Sequence, residues 1–220
     1  MKGPAGSADG SPVDSTVAGA PRSRVERVLS SAPVTRLDAA GLRAASALRG
    51  NASLDRAVYA LSELANHSVL WHGINAVDAL TGDPARRRRA LRRSVVLGLE
   101  QAVVNGPLKS SVRRDRPEVR DDHPHRLRTP ATSSFPSGHA SAGACAATLL
   151  SRDLGRAPLW WGLATLVAWT RVHVGVHHAS DVAAGAVVGA TLAAFAGRIW
   201  PPPARSGGSD PTSHRSVASG

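Results

Sequence analysis

The chain has 220 residues, a formal net charge of +11 and a single cysteine. This length is enough for one domain, and the lone cysteine excludes both an internal disulfide and a metal site built from paired cysteines. The positive charge favours an anionic partner, such as nucleic acid, an anionic lipid or a phosphate group, and composition alone does not separate these three.

Both ends of the chain lack a periodic apolar pattern. Residues 1–23 and 201–220 are rich in Gly, Pro, Ser and Ala. Because such segments bury too little apolar surface to offset their chain entropy, we predict disordered tails over 1–32 and 201–220 and one folded domain over 33–200. The first 20 residues also lack the apolar core of a secretory signal, so an extracytoplasmic site requires internal transmembrane helices.

The first two predicted helices lie before residue 82. Residues 36–49 place Leu37, Leu42, Ala45 and Leu48 on one face of an amphipathic helix that is too short and too charged to span a bilayer. Residues 53–80 predict a longer helix, straight or bent, whose centre carries no charged residue. The run Gly82-Asp83-Pro84 ends it.

A dense basic run over 86–93 precedes an apolar segment over 94–108. Such a run beside an apolar helix more often fixes membrane topology or contacts anionic lipid headgroups than binds nucleic acid. Glu100 and Asn105 interrupt the apolar segment, and the sequence assigns them no partner. In the polar loop that follows, over 109–132, the cluster Asp121, Asp122, His123 and His125 is interpreted as solvated rather than metal-binding, because Pro124 breaks the run.

The last three predicted helices cover 135–150, 158–170 and 182–197. The spacing of Gly185 and Gly189 allows close approach of helix backbones in membranes. The uncharged central parts of the predicted helices are mostly shorter than a full membrane span, which needs about 20 residues. Flanking arginines can snorkel and so extend the length that fits in the membrane. We therefore predict an all-α, membrane-embedded bundle of five to six helices. A soluble bundle of buried helices is the alternative.

Charge in the loops predicts an orientation for this bundle. If 86–93 is cytoplasmic, the segment 94–108 leads outward, and the later helices alternate so that their remaining arginines return to the cytoplasm. The loop 109–132 is the exception, since it is basic yet falls outside. Binding of phosphate accounts for positive charge on that side.

Three short motifs stand at the ends of the apolar helices. In chain order they are Lys109 through Arg116-Pro117, Pro136-Ser137-Gly138-His139, and Arg171 through His177 to Asp181. The alternating path brings all three to one face of the bundle. A Lys, two Arg, two His and an Asp converging at helix ends predict a functional site.

This set of residues fits phosphate chemistry. Arg116 and Arg171 offer planar forks that match phosphate oxygens, and Lys109 adds a point charge. Ser137 and Gly138 stand where a helix begins, so free backbone N–H groups and the helix dipole can hold an anion there. Together these groups would stabilise the additional charge on a pentacoordinate phosphorus.

The two histidines and the aspartate suggest how the reaction proceeds. His177 and Asp181 are four residues apart and share one face if that segment is helical, so Asp181 can accept the ring N–H and leave the other nitrogen free to attack phosphorus. His139 can protonate the leaving oxygen and later activate water. His178 has the wrong spacing and is interpreted as a rim or packing residue, and His173 as structural or near the edge of the site.

The motifs just quoted resemble the signature of the PAP2 (type-2 phosphatidic acid phosphatase) superfamily, K-x6-RP, PSGH and SR-x5-H-x3-D, in its membrane-bound bacterial lipid phosphatase branch. Thr170 replaces the usual Ser before Arg171 and keeps the hydroxyl. The resemblance covers about residues 94–197. It implies a six-helix core, no metal or other cofactor, a phosphohistidine on His177, and a lipid phosphate substrate: phosphatidic acid, a polyprenyl diphosphate or a polyprenyl-phosphoryl sugar phosphate.

Two other functions remain open from the sequence. A vanadate-dependent haloperoxidase uses the same type of pocket, because vanadate mimics the phosphoryl transition state, although such enzymes are usually longer and soluble. A non-catalytic basic protein that binds anionic lipid or nucleic acid is the other, and it leaves the full set of catalytic residue types unexplained.

Overall fold

The computed structural model describes residues 23–117 and 132–203, and these form helices joined by short turns, with no strand among them. The predicted all-α class is therefore confirmed. The cluster Asp121 to His125 lies outside the described residues, as do most of both predicted tails. Within the predicted N-terminal tail, however, residues Arg24–Leu29 form a helix whose start is held by reciprocal hydrogen bonds between Ser23 and Glu26.

The described helices are numbered here in chain order. They are α1 Arg24–Leu29, α2 Ala32–Ser46, α3 Ala52–Leu64, α4 Val69–Thr81, α5 Pro84–Val103, α6 Gly138–Leu154, α7 Ala157–His173 and α8 Ala179–Ile199. A π-helical segment, Val104–Leu108, and a single turn, Lys109–Ser111, continue α5.

Helix α2 carries the predicted amphipathic pattern, but its leucines point away from the bundle. Leu37 and Leu42 are exposed, as is Leu48 just after the helix, whereas Asp38 and Ala45 are buried. The inward direction of Asp38 has a clear cause, since its carboxylate accepts hydrogen bonds from Ser180 of α8.

The single long helix predicted over 53–80 is two helices in the structure. They are separated by the short turn Asn66–Ser68, in which His67 and Ser68 have left-handed backbone angles (φ 51° and 62°). A left-handed residue cannot continue the helical hydrogen-bond ladder, so the chain changes direction there. The predicted stop is confirmed, because Gly82 ends α4, Asp83 accepts the N–H of Arg86, and α5 begins at Pro84.

The basic run lies inside α5 rather than in front of it. Arg89, Arg92 and Arg93 are buried, and the Arg93 guanidinium donates to Asn75 at 2.8 Å, to Asp153 at 2.8 Å and to Asp78. The interpretation of the run as a topology determinant or a contact for anionic lipid headgroups therefore stays a prediction. Arg92 and Arg93 face inward because carbonyls and carboxylates of the bundle accept from them.

Helix α6 is the centre of the bundle, and α7 and α8 pack on either side of it. Its contact with α8 depends on the predicted glycine pair, since a Cβ at Gly185 or Gly189 would overlap the backbone oxygen of Ser137 or Ser141. Cys145 is fully buried in this contact region, as expected for a small packed residue.

One helix among the described residues, α8, is long and apolar enough to cross a membrane by length and composition, with a mean hydropathy of 1.7.

Candidate active site

The three sequence motifs meet at one end of the bundle. Backbone hydrogen bonds hold them together: the N–H of Ser137 donates to the carbonyl of Asp181 at 3.0 Å, and the N–H of His177 donates to the carbonyl of Arg171 at 3.2 Å. The guanidinium of Arg116 donates to the carbonyl of Val176 at 2.8 Å. The starts of α6 and α8, the end of α7 and the segment 109–117 therefore line one site.

His177 lies in the turn between α7 and α8 and is 3% exposed. Its Nε2 is 3.5 Å from Nη1 of Arg116, and its Nδ1 is 3.6 Å from Oδ2 of Asp181. The assumption of a helix between His177 and Asp181 is wrong, since α8 begins only at Ala179. The two side chains approach because Oδ2 of Asp181 accepts the backbone N–H of His178 at 2.9 Å, which folds the turn back onto the helix start.

The imidazole of His177 is held in its neutral form. Burial lowers its pKa to about 4, against the opposing influence of the nearby Asp181 carboxylate, while the cations Arg171 and Arg116 lower it further. A neutral imidazole has a nitrogen lone pair available at physiological pH, which is what a nucleophile requires.

Asp181 has a second partner that the sequence did not suggest. Arg114 donates to Oδ1 of Asp181, to Ser180 Oγ at 2.7 Å and to Oδ2 of Asp38 at 2.6 Å. The side chain of Asp181 is fully buried, and Arg114 compensates its charge. No motif singles out Arg114 among the many arginines of 109–132, so only the fold identifies it.

Three cations surround His177. Nη1 of Arg171 donates to Ser62 Oγ, and its buried Nε makes no hydrogen bond within the described part of the chain. Arg116 also donates to the carbonyls of Thr132 and Ser133. Burial, together with Arg116 and Arg171, lowers the pKa of Lys109 to about 8, despite the opposing charge of Asp181. Their mutual proximity favours an anion between them.

The start of α6 contributes less through Ser137 than predicted. Its Oγ caps the helix by accepting the N–H of Ala140, and its own N–H is already bonded to Asp181. The expected free amide at Ser137 is therefore absent. Gly138 and His139 occupy the first turn, where backbone N–H groups have no acceptor within the helix. A Cβ at Gly138 would meet Oδ1 of Asn105 at 2.8 Å, so a larger residue there would displace the Asn105 side chain.

His139 is oriented by the turn between α3 and α4. Its Nε2 is 3.0 Å from Oδ1 of Asn66, and the carbonyl of Ser62 also faces the ring. The ring lies within electrostatic range of Arg171, His177 and Lys109. Asn66 carries no sequence signal, because it reaches the site only through the break after α3.

The other polar residues considered from the sequence lie around this centre. His173 is bonded to Asp55 at 2.9 Å and is structural, as predicted. Glu100, which had no assigned partner, accepts from Ser141 of α6 and from Gln101. His178 is half-buried at the rim, beside a cavity of about 390 Å³ that Arg114 also lines.

No group of three or more His, Cys, Asp or Glu side chains within 23–117 and 132–203 is arranged to hold a metal ion.

Comparison with known proteins adds the evolutionary context. A family model described as PAP2 superfamily matches residues 90–203. A decaprenylphosphoryl-5-phosphoribose phosphatase of Mycobacterium tuberculosis is 38% identical over 141 residues, which are 61% of this chain and 74% of that protein. The enzyme of the same name from Mycolicibacterium smegmatis is 36% identical over 153 residues, 67% of this chain and 80% of its own length.

Two solved structures share the fold. A transmembrane PAP2-type phosphatidylglycerolphosphate phosphatase from Bacillus subtilis superimposes with a TM-score of 0.61 at 24% identity, covering 79% of this chain and 89% of that one. LpxE from Aquifex aeolicus superimposes with a TM-score of 0.57 at 24% identity, covering 71% and 92%.

Proposed function

Since the chain belongs to the PAP2 superfamily and is a phosphatase, we propose that it hydrolyses a polyprenyl-phosphoryl sugar phosphate at the His177 end of the bundle. The observation that carries the proposal is a buried, neutral imidazole whose Nε2 faces Arg116, with Lys109 and Arg171 close by. This arrangement presents a nucleophile and positive charge to the same bound anion.

The proposed binding mode follows from the positive charges and helix-start amides around His177. The phosphate oxygens lie against Lys109, Arg116 and Arg171, and the first amides of α6, at Gly138 and His139, add neutral donors. These groups are fixed before the substrate arrives. They therefore stabilise the charge of the transition state without reorganisation.

The first chemical step transfers the phosphoryl group to His177. Nε2 attacks phosphorus, a P–N bond forms, and the P–O bond to the sugar breaks. His139 donates a proton to the departing oxygen, which leaves as a sugar hydroxyl. Asp181 faces the Nδ1–H of His177 and stabilises the positive charge that develops on the ring.

The second step releases phosphate. His139 takes a proton from a water molecule, the water oxygen attacks phosphorus, and the P–N bond breaks. Inorganic phosphate leaves, and the lone pair of His177 Nε2 is restored. Protons balance over the two steps, because His139 gives one and then regains one.

Two observations support a sugar-phosphate headgroup over the alternatives phosphatidic acid and polyprenyl diphosphate. The mycobacterial relatives are phosphatases of a decaprenylphosphoryl phosphoribose. The cavity of about 390 Å³ lined by His178 and Arg114 is at the same end of the bundle, and its volume is within the range of small-molecule sites, about 300–1,000 Å³.

A lipid substrate implies a membrane location, and we propose a multi-pass protein with the site on the extracytoplasmic face and the domain over 33–200 extended by α1. Large apolar side chains are exposed on the outer faces of α4, α5, α7 and α8; they include Val77, Leu80, Leu91, Leu99, Leu166, Val187 and Phe195. Exposed apolar surface of this extent supports contact with lipid.

The proposal is tested by phosphate release from lipid phosphates in detergent, with excess EDTA. We expect the wild type and His72→Ala, which changes a histidine of α4 outside the three motifs, to release phosphate, and His177→Ala to lose essentially all release. The sugar-phosphate lipid should be the fastest of the panel. Loss of activity in EDTA, or activity in His177→Ala equal to the wild type, would contradict the mechanism.

The same preparation separates the other two functions. Oxidation of halide by peroxide with added vanadate, without phosphate release, would favour a haloperoxidase. Lipid or nucleic-acid binding that survives His177→Ala, with no phosphate released by any variant, would favour a non-catalytic protein.

A further inference from the structure

A second cavity lies at the end of the bundle opposite His177. It has a volume of about 490 Å³ and is formed by the start of α5, the end of α6 and the start of α7. Its lining residues are Arg86, Arg89, Asp153, Leu154, Arg156 and Trp160. His139 and Asp153 are at opposite ends of α6, so at 1.5 Å per residue the two sites are roughly 20 Å apart.

Arg89 is the residue of this cavity that lacks acceptors. Its side chain is 7% exposed, and its Nε and Nη1 make no hydrogen bond within the described part of the chain. A buried guanidinium without acceptors carries a desolvation penalty that a bound anion removes. The residue thus points to a ligand with oxygen acceptors.

The charges of the lining leave a positive surplus. Asp153 is the carboxylate of the cavity, and it already accepts from Arg93 at 2.8 Å. Arg86 is paired with Asp78 through Nε at 3.0 Å. Arg89 and Arg156 add positive charge beyond these two ion pairs, which favours an anion over a cation or a neutral ligand.

The remaining lining is apolar and fixed. The indole N–H of Trp160 donates to the carbonyl of Gly155 at 2.9 Å, which holds the ring in place. Next to the cavity in sequence, Leu91 and Leu159 are 66% and 52% exposed. A ligand with a phosphate group and attached acyl chains matches this combination of arginines and exposed apolar side chains better than free phosphate does.

We propose that this cavity binds the phosphodiester headgroup of an anionic phospholipid, with Arg89 and Arg156 as the phosphate ligands. A guanidinium presents parallel N–H donors that match two phosphate oxygens. With the His177 end on the extracytoplasmic side, the bound lipid belongs to the cytoplasmic leaflet and occupies a site separate from that of the substrate.

The test compares thermal unfolding of the full chain in neutral detergent with added phosphatidylglycerol or phosphatidylcholine. Phosphatidylglycerol is a phosphodiester with a net negative charge and should raise Tm through binding to the folded state. Phosphatidylcholine has the same phosphodiester, but its own choline cation neutralises it, and it should not raise Tm. We expect Arg89→Gln and Arg156→Gln to lose more than half of this rise. Arg88→Gln removes the same charge at an exposed position of α5 and should keep it.

Arg156 is exposed, so its variant should fold even if Arg89→Gln does not, and phosphate release in detergent verifies that each variant is folded. Binding of the lipid at the His177 end would survive in both variants. An equal rise in Tm for the wild type, Arg89→Gln and Arg156→Gln would therefore overturn the proposal. A rise with inorganic phosphate but none with phosphatidylglycerol would overturn the assignment to lipid.

Discussion

The ionisation of three side chains at the site predicts the pH dependence of the reaction. The pKa of His177 is about 4, so its neutral form is lost as pH falls through that value. The pKa of Lys109 is about 8, so its positive charge is lost as pH rises through that value. Burial, with Arg171, His177 and Lys109 nearby, lowers the pKa of His139, so the protonated form that donates to the leaving oxygen is also lost as pH rises. Because kcat/KM reports the free enzyme, it should fall on the acid side with His177 and on the alkaline side with His139 and Lys109.

Lys109→Arg tests the alkaline side of this profile. A guanidinium keeps its proton throughout the measurable range, so the variant should lose the fall in kcat/KM above about pH 8 even if its maximum is lower. The measurement is kcat/KM against pH for both proteins with the same lipid phosphate, so that ionisation of the substrate is common to both. An unchanged alkaline fall would mean that another group causes it.

Arg114 is a positioning residue, since it holds Asp181, which in turn lies beside the ring of His177. Arg114→Gln should lower kcat by about 100-fold with a smaller change in KM, because a misplaced catalytic group costs rate rather than binding. Removing the cation also raises the pKa of His177, so the acid limb of kcat/KM should move upward from about pH 4.

The control for Arg114 is Arg36→Gln, which removes an exposed arginine of α2 and should leave both quantities unchanged. Arg114→Lys should recover part of the loss, because it keeps the charge but not the fork that joins Asp38, Ser180 and Asp181. A lower Tm for Arg114→Gln, with the acid-side fall of kcat/KM at the same pH as in the wild type, would show that Arg114 contributes to stability alone.

At the scale of the helices, the contact between α6 and α8 determines the geometry of the site. The carbonyl of Asp181, at the start of α8, accepts the N–H of Ser137, at the start of α6. The glycines of α8 let the two backbones approach so closely that an added Cβ would overlap a backbone oxygen of α6. Separation of these helices would move His139 away from His177. Packing and catalysis therefore depend on the same small residues.

Gly189→Ala tests this dependence. Its Cβ would overlap the backbone oxygen of Ser141, and overpacking of this kind costs about 1–3 kcal/mol. We expect a lower Tm in detergent and reduced phosphate release. Gly162→Ala is the matched control, since no atom lies within 4 Å of its added Cβ and alanine favours the helix by up to about 1 kcal/mol. Equal Tm values for the two variants would contradict the packing argument.

The turn between α3 and α4 has a similar role for His139. Ser62 lies in the last turn of α3 and Asn66 directly after it, and these two side chains contact Arg171 and His139. The chain leaves the helical path only at His67 and Ser68. The end of α3 thus supplies the side chains that orient His139 and Arg171.

At the scale of the whole molecule, several charged side chains are buried while large apolar side chains are exposed. Arg93, Asp78, Asp153 and Glu100 are buried, while large apolar side chains face outward. Burial of these four charges is compensated, since Arg93 joins both aspartates and Glu100 accepts from Ser141. Arg89 differs from them, because its Nε and Nη1 have no acceptor within the described part of the chain.

Labelling of introduced cysteines tests the proposed orientation. Ser110→Cys lies on the exposed turn at the His177 end, and Arg88→Cys lies at the opposite end. In intact cells a membrane-impermeant maleimide should label the first, and should label the second only after permeabilisation. The wild type is the control, because its Cys145 is fully buried and should remain unlabelled. The reverse pattern would place the site in the cytoplasm.

The sequence by itself determined the helical class, the last three helices, the glycine contact and the residues that meet at the site. Local patterns predict helix ends and close helix contacts, as Gly82-Asp83-Pro84 and the spacing of Gly185 and Gly189 do here. The three motifs that begin at Lys109, Pro136 and Arg171 likewise resemble a family signature that specifies residue types in order. For these features, local chemistry and residue spacing carry the information.

Only the tertiary structure decided which groups act on those residues. Arg114, Asn66 and Asp38 carry no distinguishing local pattern, and they reach the site through a turn or a distant helix. Arg89 and Arg93 belong to one basic run, yet Arg93 is paired with carboxylates of other helices while Arg89 lines a cavity. Partners distant in sequence are set by how the helices pack, and spacing along the chain does not encode that packing.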